Sequence, residues 1–286
     1  MSRFSGRRER FRRILQGDAC VYPASVFDPI STRIAEHLGF EMGMYAGSLA
    51  SLAVLAAPDL ILLTQTEFAQ QAQRMSRVSE LPLFADADHG YGNALNVKRT
   101  VEELEFAGLA GLSIEDTELP QRFGSGGLPS LLSIEEGVGK MRAAVDGRSD
   151  PSMVIAGRTS APHLTSIDDT IARSRAYVEA GVDAMFLVGV PSRSVLEAIS
   201  TEIEVPILLG GGAGEMRDPK WLAGQGVRFL LRGHQTFSAS VQSIYTTMRS
   251  LRDGVEPEEV EGMATEELMK AVTRTGEYER EGKDWL

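Results

Sequence analysis

The chain has 286 residues, a length that suits one α/β barrel of roughly 250 residues, and its 43% hydrophobic and 24% charged composition is that of a globular protein with a sizeable core. A formal net charge of -11 argues against a nucleic-acid partner, which needs a basic footprint, and leaves an anionic substrate to be held by local groups. One cysteine, Cys20, excludes a disulfide framework, and no run of about 18 apolar residues is present to cross a membrane, so a cytoplasmic protein is expected.

The chain opens on a basic segment, Arg7 to Arg13, that lacks the apolar core of a signal peptide and reads as an amphipathic helix with Phe11, Ile14 and Leu15 facing inward. Short apolar runs then alternate with helix-period segments, the signature of βαβ units around a parallel sheet. The expected strands are Cys20–Ala24, Met42–Ala46, Leu83–Ala85, Gly111–Ile114, Met153–Ala156, Ala184–Leu187, Pro206–Leu208 and Arg228–Leu230. Helical patterns between them include Val97–Phe106, Ile134–Val145, Ile167–Val178 and Ser194–Ile199. The longest apolar stretch, Leu49 to Leu63, is broken by Ser51, Pro58 and Asp59. Three segments, at Gly108, Gly181 and Gly224, repeat a helix end, a glycine and a strand start, which is barrel architecture and no nucleotide signature. The expected fold is a (β/α)₈ TIM barrel over residues 1–254, followed by a polar helical extension, 255–286, too poor in apolar surface to fold alone and therefore packed on the barrel or on a partner subunit.

In such a barrel the chemistry collects at the C-terminal ends of the strands. One strand runs into Asp86-Ala87-Asp88-His89-Gly90-Tyr91-Gly92 and the next into Glu115-Asp116, which should bring carboxylates together near the axis. Hard oxygen ligands suit Mg²⁺, with Mn²⁺ as an alternative, and too few His and Cys residues stand at ligand spacing for zinc. A single Asp would be read as a helix cap or turn residue. Asp88, Asp86 and Glu115 at two neighbouring strand ends read instead as a metal site. Arg158, at a further strand end, can clamp a carboxylate, with a salt bridge to a rim acid as the competing reading. The turn Tyr45-Ala46-Gly47-Ser48 offers backbone N–H groups to an anion, or is simply a tight connection.

The acidic pair of motifs, D-x-D-x-G-Y-G and then I-E-D, resembles the isocitrate lyase/phosphoenolpyruvate mutase superfamily. Val21 to Asp28 and Pro58-Asp59 also fit, so the resemblance runs from about residue 10 to 250. It implies an α/β barrel whose eighth helix is often swapped between subunits, a homo-oligomer built as a dimer of dimers, and an α-oxycarboxylate ligand. It further implies Asp88 as the main metal ligand, Asp86 and Glu115 acting directly or through water, and Asp59 holding metal-bound water. Gly47 and Ser48 would bind the substrate carboxylate through their backbone, and Arg158 the substrate anion.

The departures narrow the reaction. Lyases of the superfamily carry a K-K-C-G-H loop after the I-E-D strand, whereas Asp116 to Gly124 here contains no cysteine. Phosphonate-processing members carry another gating loop that Phe123 to Pro129 does not match, and Leu209-Gly210-Gly211-Gly212 leaves space where lyases have polar residues. The segment Leu231-Arg232-Gly233-His234-Gln235 resembles the branch that decarboxylates oxaloacetate, and it points His234 into the site unless that residue only caps the last helix. The expectation is thus an enzyme that releases CO₂ from a small α-keto dicarboxylate through a metal-bound enolate, with Arg158, His234 and Asp59 as catalytic residues and Tyr45, Gly47, Ser48, Arg158 and His234 contacting substrate. The proton donor stays open between a metal-bound water and Tyr45. The role of His89 also stays open, and His37 and His163 are read as structural or surface residues. The alternatives are a C–C lyase, a phosphonate mutase or hydrolase on the same scaffold, or a non-catalytic keto-acid sensor.

Overall fold

The computed structural model describes residues 4–286. Eight parallel strands follow one another in chain order: β1 (Ala24–Ser25), β2 (Gly43–Ala46), β3 (Leu83–Asp86), β4 (Gly111–Glu115), β5 (Val154–Thr159), β6 (Ala184–Leu187), β7 (Ile207–Leu209) and β8 (Val227–Leu230). Val21, ahead of β1, bridges Phe229 of β8: its N–H donates to Arg228 and its carbonyl accepts from Leu230, which closes the sheet into the expected barrel. The first strand is shorter than expected because Pro23 has no N–H to give to the ladder.

Strand alternation sorts the side chains into two layers. Met44, Phe84, Val154, Ala156, Ala184, Phe186, Leu208 and Phe229 fill the barrel interior. Their neighbours Tyr45, Ala85, Leu112, Ile155, Met185 and Ile207 face outward, against the helices. The interior is built on aromatic contacts, with ring centroids 5.5 Å apart for Phe84–Phe229, 5.7 Å for Phe186–Phe229 and 6.2 Å for Phe84–Phe186.

The N-terminal helix α1 (Ser5–Gln16) seats Phe11 5.4 Å from Phe84 and so stoppers this core. Its arginines are not a loose basic face. Arg8 is 1% exposed, donating to the Leu109 carbonyl and pairing with Asp150 at 2.8 Å.

The outer helices start where local chemistry starts them. Asp28 and Ser31 form a capping box on α2 (Pro29–His37), and the short α3 (Gly47–Ala50) leads directly off β2. Thr64 and Glu67 do the same for α4 (Gln65–Ser76), and Asn93 and Asn96 for α5 (Ala94–Phe106). Ser133 caps α6 (Ile134–Gly147); α7 (Ala161–Leu164) is a single turn before α8 (Ile167–Glu179), which Ser166 caps. Ser192 caps α9 (Arg193–Ser200) and Asp218 caps α10 (Pro219–Gly224).

The eighth barrel helix, α11 (Gln235–Arg252), buries none of its residues and exposes Val241, Ile244, Tyr245, Met248 and Leu251 along one stripe. After it, α12 (Glu266–Thr273) returns to α2, where Val272 is 3% exposed and Arg33 donates to the Val272 carbonyl, and α13 (Thr275–Trp285) ends the chain. Among the described residues no helix is long and apolar enough to cross a membrane.

Candidate active site

The inward-facing rows of β2 to β8, followed to their C-terminal ends, arrive at a cavity of about 330 Å³. Met44 and Ala46 lead to Ser48, Phe84 to Asp86, Ser113 to Glu115, Ala156 to Arg158, Phe186 to Val188, Leu208 to Gly210, and Phe229 to Leu231. Register places Ala46 beside Asp86, Asp86 beside Ser113, and Glu115 beside Arg158. Asp88 and His234 join from the loops after β3 and β8.

Four of the lining residues are acids, Asp59, Asp86, Asp88 and Glu115, and they share one guanidinium, Arg158. Arg158 pairs with Asp86 and lies 3.6 Å from Glu115, with its Cζ 5.7 Å from the centre of the Phe186 ring. Burial works against its charge, but Asp86 and Glu115 hold the guanidinium firmly protonated. Ser113 donates to Asp86 at 3.0 Å and Thr117 to Glu115 at 2.6 Å.

Asp88 is different. Its backbone sits at φ 48°, and its carboxylate accepts no hydrogen bond among the described residues. Burial, then the charges of Asp86 and Glu115, raise its proton affinity well above the ordinary carboxylate range. Glu115 is raised by burial, against the pull of Arg158, and Asp59, on the solvent-open rim, by burial and Asp86. The carboxylate of Asp88 fills the space a Cβ on Gly47 would take, so position 47 admits only glycine while Asp88 stays where it is.

This donor set fits a hard divalent cation. It is all oxygen, carries more negative charge than Arg158 offsets, and includes two carboxylates, Asp59 and Asp88, that accept no hydrogen bond among the described residues. The acids are not drawn into a ready-made cluster: among the described residues no three potential ligands converge closely enough to form one, and Arg158 reaches both Asp86 and Glu115.

His234 begins α11, yet its side chain does not cap that helix. Instead Nδ1 lies 2.7 Å from the hydroxyl of Ser25, and the ring lines the cavity. Burial lowers its proton affinity, with Asp86 and Asp59 pulling the other way.

Some expected residues lie elsewhere. Tyr45 does not line the cavity: it points out of the barrel, fully buried, with its ring stacked on Phe68 at 4.5 Å. Asp116 also turns away from the axis, accepting from Tyr177 at 2.7 Å and Thr159 at 3.0 Å and pairing with Arg173 at 3.1 Å. Both are outward positions of strands whose inward neighbours reach the site. His89 is buried behind the loop, its proton affinity lowered to about 4 by burial and Lys140, and its carbonyl accepts from Lys140 at 2.8 Å.

The apolar wall was not foreseen: Leu60, Ile61, Leu119, Pro120, Phe186, Val188 and Leu231 line it, with Gln121 at the rim. Strand alternation could have found Phe186, Val188 and Leu231. No sequence signal marks Leu60 and Ile61, which sit in an irregular loop with Ile61 at φ 58°.

The family model described as phosphoenolpyruvate phosphomutase matches residues 11–252. A curated relative named oxaloacetate decarboxylase, from Bradyrhizobium diazoefficiens, is 54% identical over 283 residues, covering 99% of this chain and 98% of the relative. Among solved structures, phosphoenolpyruvate phosphomutase from Streptomyces platensis subsp. rosaceus superposes with a TM-score of 0.86 at 26% identity, covering 97% of this chain and 99% of that one. Oxaloacetate acetylhydrolase in complex with its product oxalate does so with a TM-score of 0.85 at 25% identity, covering 98% of both.

Proposed function

The chain belongs to the phosphoenolpyruvate phosphomutase family, and on that premise we propose that it decarboxylates oxaloacetate to pyruvate and CO₂. The observation that carries this reading is a cavity lined by carboxylates, one arginine and one histidine, with no thiol: Cys20 is buried in the core behind the strands. Decarboxylation of a β-keto acid needs no nucleophile. The C3–C4 bond breaks, its electron pair moves toward the C2 oxygen, CO₂ departs, and C3 takes up a proton from solvent.

Asp88, Asp86 and Glu115 would hold the divalent metal, Mg²⁺ or Mn²⁺, and Asp59 would position water beside it. When bound, such an ion supplies Lewis-acid stabilisation of negative charge growing on the keto oxygen. Arg158 and the backbone N–H groups of Gly47 and Ser48 orient the C1 carboxylate. His234 faces the C4 carboxylate. The apolar wall of Leu60, Ile61, Phe186, Val188 and Leu231 strips water from that group, which weakens the solvation that holds its charge and favours its loss as neutral CO₂. The same reading makes the protein a cytoplasmic homo-oligomer, a dimer of dimers; the uncovered apolar stripe of α11 supports the association, and residues 255–286 serve as an extension of one barrel domain.

The test is a side-by-side assay of oxaloacetate, phosphonopyruvate and 2-methylisocitrate with Mg²⁺, read by NMR, with oxalate as inhibitor. Pyruvate should appear from oxaloacetate alone, and oxalate should compete only when Mg²⁺ is present. Turnover of either other substrate at a comparable rate, or equal inhibition in EDTA, would overturn the reading.

A further inference from the structure

Ser25 ends β1 on the inward side, is 7% exposed, and has its hydroxyl 2.7 Å from Nδ1 of His234. The two are held together by more than that contact, because Thr236, two residues beyond the histidine, donates its hydroxyl to the Ser25 carbonyl at 2.8 Å. A serine hydroxyl has one proton to give and two lone pairs to fill, and a neutral imidazole has one N–H and one bare nitrogen. The pair can therefore be arranged in two ways.

If Nδ1 carried the proton and donated to Ser25, the serine would need another acceptor for its own proton. Among the described residues Ser25 Oγ has no second partner, so that proton would be stranded in a buried place. If the serine donates to Nδ1, both atoms of the contact are satisfied, and the remaining N–H of the ring, at Nε2, is left for the cavity. The surroundings favour the same choice, since the ring shares the cavity with Asp59 and Asp86, whose negative charge attracts an N–H and repels a bare nitrogen lone pair.

We infer that Ser25 is a positioning residue, whose hydroxyl donates to Nδ1 of His234 and holds the ring as the Nε2–H tautomer, so that His234 offers substrate a hydrogen-bond donor and not a base. The tautomer follows from Ser25 and the cavity alone. The assignment of that donor to the leaving carboxylate of oxaloacetate rests on the function proposed above. Burial of the ring lowers its proton affinity, against the pull of Asp86 and Asp59, and so favours the neutral form with a single N–H. A neutral donor suits this position: it fixes the orientation of a carboxylate without the full positive charge that would stabilise the carboxylate against leaving.

The experiment begins with the intact, substrate-free protein labelled with ¹⁵N at histidine. Four histidines are present, and the spectrum of His234→Gln identifies the His234 resonances. The expected result is a protonated Nε2 and a bare, hydrogen-bonded Nδ1; a protonated Nδ1 would overturn the inference. Ser25→Ala should then blur that signature toward a mixture of tautomers. It should lower kcat for oxaloacetate roughly ten- to a hundredfold, the usual cost of losing a group that orients a functional histidine. The oxalate inhibition constant should stay within about twofold, because oxalate has no leaving carboxylate to orient. Ser25→Thr keeps the hydroxyl and should restore both tautomer and kcat. A Ser25→Ala protein with a lowered melting point but wild-type tautomer and kcat would make the contact merely structural. If Ser25→Ala does not fold, the wild-type spectrum and Ser25→Thr still decide. Absence of oxaloacetate turnover in the wild type would remove the proposed reaction, while the tautomer spectrum would stand or fall independently of it.

Discussion

Replacing Gly47 with alanine tests how the cavity is held together. A Cβ there would stand 2.6 Å from Asp88 Cγ, whereas carbon atoms settle at about 3.5–4.0 Å. Asp88 must therefore retreat by about 1 Å, and a shift of that size in a reacting assembly costs about a hundredfold in rate, or about 2.7 kcal/mol. The fold should hardly notice, because the Asp88 carboxylate accepts no hydrogen bond among the described residues and breaks none by swinging aside. Gly47 also opens a helical turn at an ordinary backbone angle, where alanine is unstrained. The assay is kcat/KM for oxaloacetate across a Mg²⁺ titration, with a thermal melt on the same sample. The expected outcome is a loss near a hundredfold, a higher Mg²⁺ requirement and a melting point within a few degrees of wild type. Wild-type kcat/KM with an unchanged Mg²⁺ requirement would show that the position of Asp88 does not matter, and with it the metal reading would go.

Three further outcomes are expected. Asp88 has its proton affinity raised in the folded state, so the stability it contributes is complete below the unfolded value of about 3.9 and is lost as pH rises; in EDTA, Asp88→Asn should melt progressively higher than wild type from about pH 4 upward, with Mg²⁺ stabilising only the wild type, and a pH-independent difference would contradict the charge argument. Phe11→Ala should cost about 3–5 kcal/mol in a denaturant titration, because Phe11 is fully buried against Phe84; a loss below about 1 kcal/mol would mean that α1 is no part of the barrel core. Burial pushes the Cys20 thiol up to about 11, partly offset by Arg228, so its contribution holds below the unfolded value of about 8.5 and fades as pH climbs toward the folded one. The stability gap between wild type and Cys20→Ala should shrink over that alkaline range, and a constant gap would count against burial as the cause.

The barrel was readable because strands buried on both faces are nearly continuous apolar runs, and seven of the eight expected strands overlap the observed ones over most of their length. The first is the exception. Cys20–Ala24 looks like a strand by composition, but Pro23 breaks its ladder and the paired segment moves to Ala24–Ser25. That displacement hid Ser25, which becomes an inward strand end only once the shift is known. Asp86, Asp88, Glu115 and Arg158 were readable because the strands that deliver them have the expected register. Tyr45 and Asp116 were misplaced for one shared reason: each neighbours an inward residue, and adjacent residues of a strand face opposite ways. The apolar wall was less readable still, since leucine and isoleucine in a loop carry no mark that separates a cavity lining from ordinary packing.

The aromatic floor also sets the traffic. Phe84, Phe186 and Phe229 fill the barrel below the carboxylates, and Phe11 stoppers them from the far end. The cavity is therefore a blind well. An incoming dianion and an outgoing monoanion must use the one open side, where Asp59, Leu60 and Gln121 meet solvent, so neither can follow the other through. Pyruvate still in the well blocks the next oxaloacetate, and the turnover clock restarts only when the mouth has cleared.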